Sequence, residues 1–149
     1  MYKHILIPVD LSTASLAATR TAIAMAKSTR AKVTAVHVIA PFSPHAVGEI
    51  RSRGPAPLTA TEYERVAQRR GEAVLEKVVA EAKAARVPCT VAIMYHEKPA
   101  EAIVDATRKY RCDAVVMATS GRKGIERFFV GSVASEVLRR SRVPVVVLR

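Results

Sequence analysis

Short apolar runs and longer stretches with helical periodicity alternate along this chain. Ile5-Leu6-Ile7-Pro8-Val9 is a continuous apolar run of strand length. Asp10-Leu11-Ser12 follows, and the Ala-rich segment from Ser12 to about Thr29, with Leu16, Ile23 and Ala26 near helical spacing, predicts a helix. Lys32 to Ile39 is rich in β-branched residues and reads as a second strand. Pro41, Pro44, Gly48, Gly54, Pro55 and Pro57 then break every periodicity, so residues 41–58 are expected to form a long mobile loop within one domain. Thr59 with Glu62 has capping-box spacing, as does Thr61 with Glu64, and a long helix with Val66, Val74, Leu75, Val78, Val79 and Ala82 on its apolar face should run to Arg86-Val87-Pro88. Cys89 to Met94 is a third strand. A helix opening on Pro99 reaches about Tyr110, and Ala114 to Ala118 is a fourth strand. Gly131-Ser132 opens a last helix, and the run from Pro144 to Leu148 is a fifth strand.

Strands that alternate with helices imply an α/β domain: an open parallel sheet covered on both faces through right-handed crossovers. The 149 residues, half of them apolar, suffice for one core, so residues 1–149 are expected to form a single domain. No segment has the make-up of a signal peptide or approaches the ~20 apolar residues of a membrane span, which favours the cytoplasm. Cys89 and Cys112 have no metal-ligand or CxxC spacing and read as reduced, packed thiols. His4, His45 and His96 lack partner spacings for metal or catalysis, and His37 reads as a packed imidazole.

The net charge of +11, from 24 Lys and Arg against 13 Asp and Glu, favours anionic ligands without saying which. The basic residues are spread along the chain in short pairs, with no basic tail and no interleaved aromatics. They therefore read as solvated faces, which disfavours nucleic acid as a partner.

In an open parallel sheet a ligand binds beyond the carboxyl ends of the strands where strand order reverses. The first strand ends in Pro8 and Val9 and is followed by Asp10, whose carboxylate could accept hydrogen bonds from an adenosine or cap the following helix. Beyond Met117 and Ala118 at the end of the fourth strand come Thr119-Ser120-Gly121-Arg122-Lys123-Gly124 and then Gly131-Ser132. Backbone amides there, at the positive end of a helix, can cradle a phosphate, or the segment can be a plain strand-to-helix turn. The loop is neither a Walker A motif nor a dinucleotide fingerprint, because no Gly-Lys-Ser/Thr is present and no glycine follows the first strand.

Taken together, the opening Tyr2-Lys3-His4-Ile5-Leu6-Ile7-Pro8-Val9-Asp10, the Val36-His37-Val38 strand, Cys112 to Ala118, Gly131-Ser132-Val133-Ala134 and Val143 to Val147 resemble the universal stress protein family along essentially the whole length. Its ATP-binding branch carries Gly-x2-Gly-x9-Gly-Ser/Thr; here Gly121 is the second glycine, and Gly131-Ser132 follows after nine residues. The resemblance implies strand order 3-2-1-4-5 in a Rossmann-like sheet, with ATP (or AMP or ADP) lying across the ends of the first and fourth strands. Asp10, flanked by Pro8 and Val9, would face the adenosine, and the Val38 backbone the adenine. Gly121, Gly131 and Ser132 would hold phosphates with a divalent cation such as Mg or Mn, while Met117, Ala118, Arg122 and Val133 would line the same space. It also implies a regulatory nucleotide ligand with at most slow hydrolysis, in a homodimer joined through residues 144–148. Ala118 departs from the motif's first glycine, and supports the alternative of a dimeric family member that binds no nucleotide. If that position required a left-handed backbone, its β-carbon would oppose binding by roughly 1–2 kcal/mol; its place in the strand pattern predicts an ordinary extended backbone instead.

Overall fold

The computed structural model describes residues 1–52, 54–55, 59–119 and 130–148. Five strands, β1 (His4–Pro8), β2 (Lys32–Ile39), β3 (Cys89–Tyr95), β4 (Ala114–Ala118) and β5 (Val145–Leu148), form one sheet in the order β3-β2-β1-β4-β5. Every pairing is parallel, with Ile5 beside Val33 on one side and beside Ala114 on the other. The expected fold class and strand order are thus observed.

The sheet is buried from both sides because successive strand residues point to opposite faces. Ile5 and Ile7 join Val33, Ala35, Ala114 and Val116 in a core shared with helix α1 (Thr13–Thr29) and the long helix α3 (Ala60–Ala85). Leu6, Val36, Val115 and Met117 face the other way, onto α4 (Pro99–Lys109) and α5 (Ser132–Arg140). The capping box falls on Thr59 and Glu62: Glu62 N–H donates to Thr59 Oγ1 at 3.1 Å and the Glu62 carboxylate accepts from Thr59 N–H at 3.2 Å.

One expectation is corrected. Within residues 41–58, Pro44–Arg51 form a helix, α2. Ser43 is its N-cap, accepting from Ala46 N–H at 3.1 Å, and Pro44 occupies the first turn. A proline there is pre-organised for helix, since its missing N–H would have had no partner anyway; the same residue read as a breaker in the sequence. Ala46 and Ile50 are buried against Tyr63 and Ala67 of α3 in a small third core, and the Tyr63 hydroxyl donates to the Ala40 carbonyl at 2.6 Å. Residues 53 and 56–58 of that segment lie outside the described residues.

At the amino-terminal ends of the strands, a polar chain crosses the sheet. His4 Nε2 lies 2.7 Å from Thr34 Oγ1, which lies 2.8 Å from Thr90 Oγ1. Burial lowers the His4 pKa below 6.5 and Lys32 adds to the effect; Asp113 and the Tyr110 carbonyl oppose it. The unfolded chain therefore binds more protons than the folded one between that lowered value and about 6.5, so this contribution to stability is full above pH 6.5 and is lost as pH falls through the folded pKa. Urea midpoints should drop between pH 7.5 and 5.5, and His4→Gln should flatten the drop. An unchanged slope in the variant would show that another group is responsible.

Candidate functional site

The chain runs from β1 outward through β2 to β3 and then returns to β4 on the other side of β1, so strand order reverses between β1 and β4. Their carboxyl ends carry Pro8, Val9 and Asp10 on one side and Met117, Ala118 and Thr119 on the other. The turn after β1 is held from three directions. Val9 N–H donates to the Val36 carbonyl at 2.8 Å, and the His37 imidazole donates through Nδ1 to the Val9 carbonyl, also at 2.8 Å. Asp10 N–H donates to Ser15 Oγ at 3.0 Å.

The two readings of Asp10 are separated by these contacts. Ser12, not Asp10, caps α1, its Oγ accepting from Ser15 N–H at 3.1 Å. Among the described residues Asp10 Oδ1 accepts only from Ser12 N–H, at 2.7 Å, and Asp10 is exposed. A carboxylate has about four lone-pair sites, and among the described residues no hydrogen bond takes the second oxygen. Ser15 and His37 are the residues that sequence reasoning missed as supports of this turn. The spacing of Ser12 and Ser15 was the available signal for one; nothing in the sequence reveals the other, because the contact joins two strands.

After β4, α5 begins at Gly131, the N-cap, with φ −54° and ψ 157°. Among the described residues no side chain caps this helix, and no acidic residue stands in its first turn, so a helix start of this kind offers amide donors and partial positive charge. Gly131 is buried, Ser132 exposed and Val133 half-buried. A cavity of about 380 Å³ opens beside this helix start, lined by Ser132, Val133 and Glu136 of α5 and by Pro99, Ala100 and Glu101 of α4, among others. Two of the acids there are matched: Glu101 pairs with Lys98 and Arg140, each at 3.2 Å. Glu136 pairs with Arg139 and Arg140, and hydrogen bonds from Arg139 first and Arg140 second hold its carboxyl below the usual range.

Ala118 ends β4, where it is half-buried and pairs with Leu148, and it is absent from the left-handed residues, which are Arg30, Arg86 and Arg111 among the non-glycines described. The β-carbon therefore meets no torsional penalty in this backbone. Val38 lies next to the end of β2, half-buried against the α4/α5 core. Gly121 and Arg122 lie outside the described residues. Among the described residues, no group of three or more His, Cys, Asp or Glu could hold a metal ion. Cys112 is buried with its thiol pushed up to about 11, by burial first and then Asp113, and Cys89 is also raised by burial. Neither has the character of a reactive thiolate.

These features define an open, doubly wound α/β protein whose strand order reverses between β1, followed by Asp10, and β4, after which α5 starts at Gly131. Residues 1–149 match the profile of the universal stress protein family. The chain is 34% identical over 151 residues to the universal stress protein MJ0531 of Methanocaldococcus jannaschii, covering 100% of this chain and 83% of that protein. It is 33% identical to the universal stress protein in the QAH/OAS sulfhydrylase 3′ region of Thermus aquaticus, covering 100% of both. The chain belongs to the universal stress protein family. Among solved structures, the universal stress protein UspA from Lactobacillus plantarum superimposes with a TM-score of 0.76 at 25% identity, covering 99% of this chain and 98% of the other. The same fold is shared with a universal stress protein family protein from Arabidopsis thaliana with AMP bound (TM-score 0.67, 18% identity, 98% and 90% covered). It is shared as well with the Archaeoglobus fulgidus universal stress protein in complex with dAMP (TM-score 0.64, 20% identity, 99% and 98% covered). Along the described residues, no helix is long and apolar enough to cross a membrane.

Proposed function

We propose that this protein binds an adenine nucleotide, ATP foremost, as a regulatory ligand at the ends of β1 and β4, and that it does so as a homodimer. The observation that carries the reading is the strand-order reversal between β1 and β4, with Asp10 following the one strand and the start of α5 at Gly131-Ser132 following the other. An acceptor suits ribose hydroxyls, and free helix amides suit phosphates. The AMP and dAMP complexes of proteins with this fold support the same ligand class. Val9, Val38 and Ala118 would supply backbone contacts beside Pro8 and Met117. Ser132 would add a hydroxyl, Val133 a wall, and Gly121 and Arg122 further phosphate contacts. Mg or Mn would ride on the phosphates rather than on a protein cage. Asp10 is already engaged with Ser12 N–H, which fits a recognition residue better than a general base.

Titration calorimetry with ATP, ADP and AMP, with and without Mg, tests this. Saturable one-to-one binding in the micromolar range is expected. No heat at millimolar ATP, restored by Ala118→Gly, would favour the rival reading that the Ala118 methyl has closed the site.

The dimer reading rests on β5. Among the described residues it pairs with β4 along one edge only, and all four of its residues are half-buried valines or leucine. An open apolar edge invites a second copy across a two-fold axis. Sedimentation equilibrium should give a dimer, and Val147→Lys a monomer. A monomeric parent protein at tens of micromolar would remove this part of the proposal.

A further inference from the structure

The cations that look scattered in the sequence converge in the fold. Each strand of a doubly wound sheet begins where the preceding helix ends, so all five strand starts and the carboxyl ends of α1, α3, α4 and α5 share one end of the molecule. Backbone hydrogen bonds stitch that end together: Lys32 N–H to the Lys3 carbonyl at 3.0 Å, Val33 N–H to Pro88 at 2.8 Å, Asp113 N–H to His4 at 2.9 Å and Val115 N–H to Pro144 at 2.9 Å. In order across the sheet, the residues at or just before the strand starts include Arg86, Arg30 with Lys32, Lys3, Arg111 and Arg142, all exposed. None of these six side chains has an acidic partner among the described residues.

Several carboxylates of the helices and of the β4 start are committed elsewhere. Asp113 accepts from the backbone N–H of Lys3 and His4 at 2.8 and 3.0 Å, Asp105 pairs with Arg108 at 3.1 Å, Glu81 with Arg20 at 3.0 Å, and Glu136 with Arg139 and Arg140. Helix ends account for only part of the excess. Four helix carboxyl termini together carry roughly −2 charges, well short of the six unpaired cations, and each helix already has a Lys or Arg in its last turn.

Three of the six occupy a demanding backbone. Arg30, Arg86 and Arg111 have φ of 56°, 59° and 54°. Each is followed by a residue whose N–H reaches back into the helix: Ala31 to Ala26 at 2.8 Å, Val87 to Ala82 at 2.9 Å and Cys112 to Thr107 at 2.8 Å. This left-handed helix stop normally takes glycine, and a side chain there is opposed by roughly 1–2 kcal/mol. Local stability alone would not place arginine at all three.

We infer that this end of the molecule is a second binding face, opposite the nucleotide site, which takes the phosphate backbone of nucleic acid without reading sequence. Five strands at about 4.8 Å spacing span roughly 20 Å, a length along which a duplex presents about a dozen phosphates. A membrane surface is the less favoured partner. Binding to lipid calls for aromatic or leucine side chains set among the cations, whereas the exposed apolar residues near this end, Met1 and Leu138, sit on different elements.

The test uses the full chain and a fluorescein-labelled random-sequence duplex of roughly 20 base pairs, read by anisotropy from 50 to 200 mM NaCl. Four to six phosphate contacts predict an affinity loss of about 10²–10³-fold over that range. The triple variant Arg30→Gly/Arg86→Gly/Arg111→Gly removes charge while relieving the backbone, so its thermal midpoint should hold or rise. Its affinity at 50 mM salt should fall at least tenfold, with the logarithmic salt slope reduced by roughly 2–3. Absence of binding at 50 mM salt, or binding indifferent to the triple variant, would overturn the inference. So would uptake by phosphatidylserine vesicles in place of DNA.

Discussion

Replacing Gly71 by alanine is expected to lower the free energy of unfolding by about 1–3 kcal/mol, the usual range for overpacking a filled site. Helix propensity alone argues the opposite, since alanine in mid-helix is favoured over glycine by roughly 0.5–1 kcal/mol. Contact decides the sign. Gly71 is buried in α3, and a β-carbon there would stand 2.7 Å from His37 Cδ2 and 3.3 Å from Ile93 Cδ1. The imidazole cannot swing aside without giving up its hydrogen bond to the Val9 carbonyl, and it is only 8% exposed. Urea denaturation of Gly71→Ala measures this directly. His37→Ala in the same chain should recover part of the loss, because the two changes share one contact. A stabilised Gly71→Ala protein would mean that the ring yields freely and that His37 does not fix the turn after β1.

The second large effect concerns the ligand. Asp10→Ala should weaken ATP binding by about 10–100-fold, in keeping with the ~1.5–3 kcal/mol of a hydrogen bond to a charged group. The fold should survive, because Ser12 rather than Asp10 caps α1 and the Asp10 side chain is exposed. Asp10→Asn keeps an oxygen acceptor and should fall between the two. Unchanged calorimetric affinity in Asp10→Ala, with ATP still bound, would move the adenosine away from β1.

Much of the fold was legible because its signals are local. β2 spans Lys32–Ile39 and β4 Ala114–Ala118, as their runs of β-branched and apolar residues indicate, and the Thr59 capping box starts α3. What escaped depends on context. Pro44 and Gly48 look like breakers, but Ser43 supplies a cap and Ala46 and Ile50 find an apolar floor on α3, so α2 forms. Val66 apart, the apolar face of α3 was read from its second half; Tyr63, Ala67 and Gly71 extend it to the other end, and Gly71 is small for the sake of a histidine two elements away. Val79, assigned to that face, is 39% exposed. The candidate site was legible as two loops following two strands. The division of labour between Asp10 and Ser12 was not, since both residue types cap helices equally well in sequence. Gly131 has torsions open to any residue, so its value would lie in close approach of a ligand rather than in backbone freedom. The basic end was hidden for a topological reason: arginines separated by a whole strand and helix become neighbours only when every crossover returns to the same side of the sheet.

Titrating ¹⁵N-labelled protein with ATP and following backbone amide shifts locates the ligand residue by residue. Val9, Asp10, Ile39, Thr119, Ser132 and Val133 should move together along one saturation curve, with Lys32, Arg86 and Arg111 unmoved. Shifts confined to the strand starts, or none at millimolar ATP, would contradict nucleotide binding between β1 and β4.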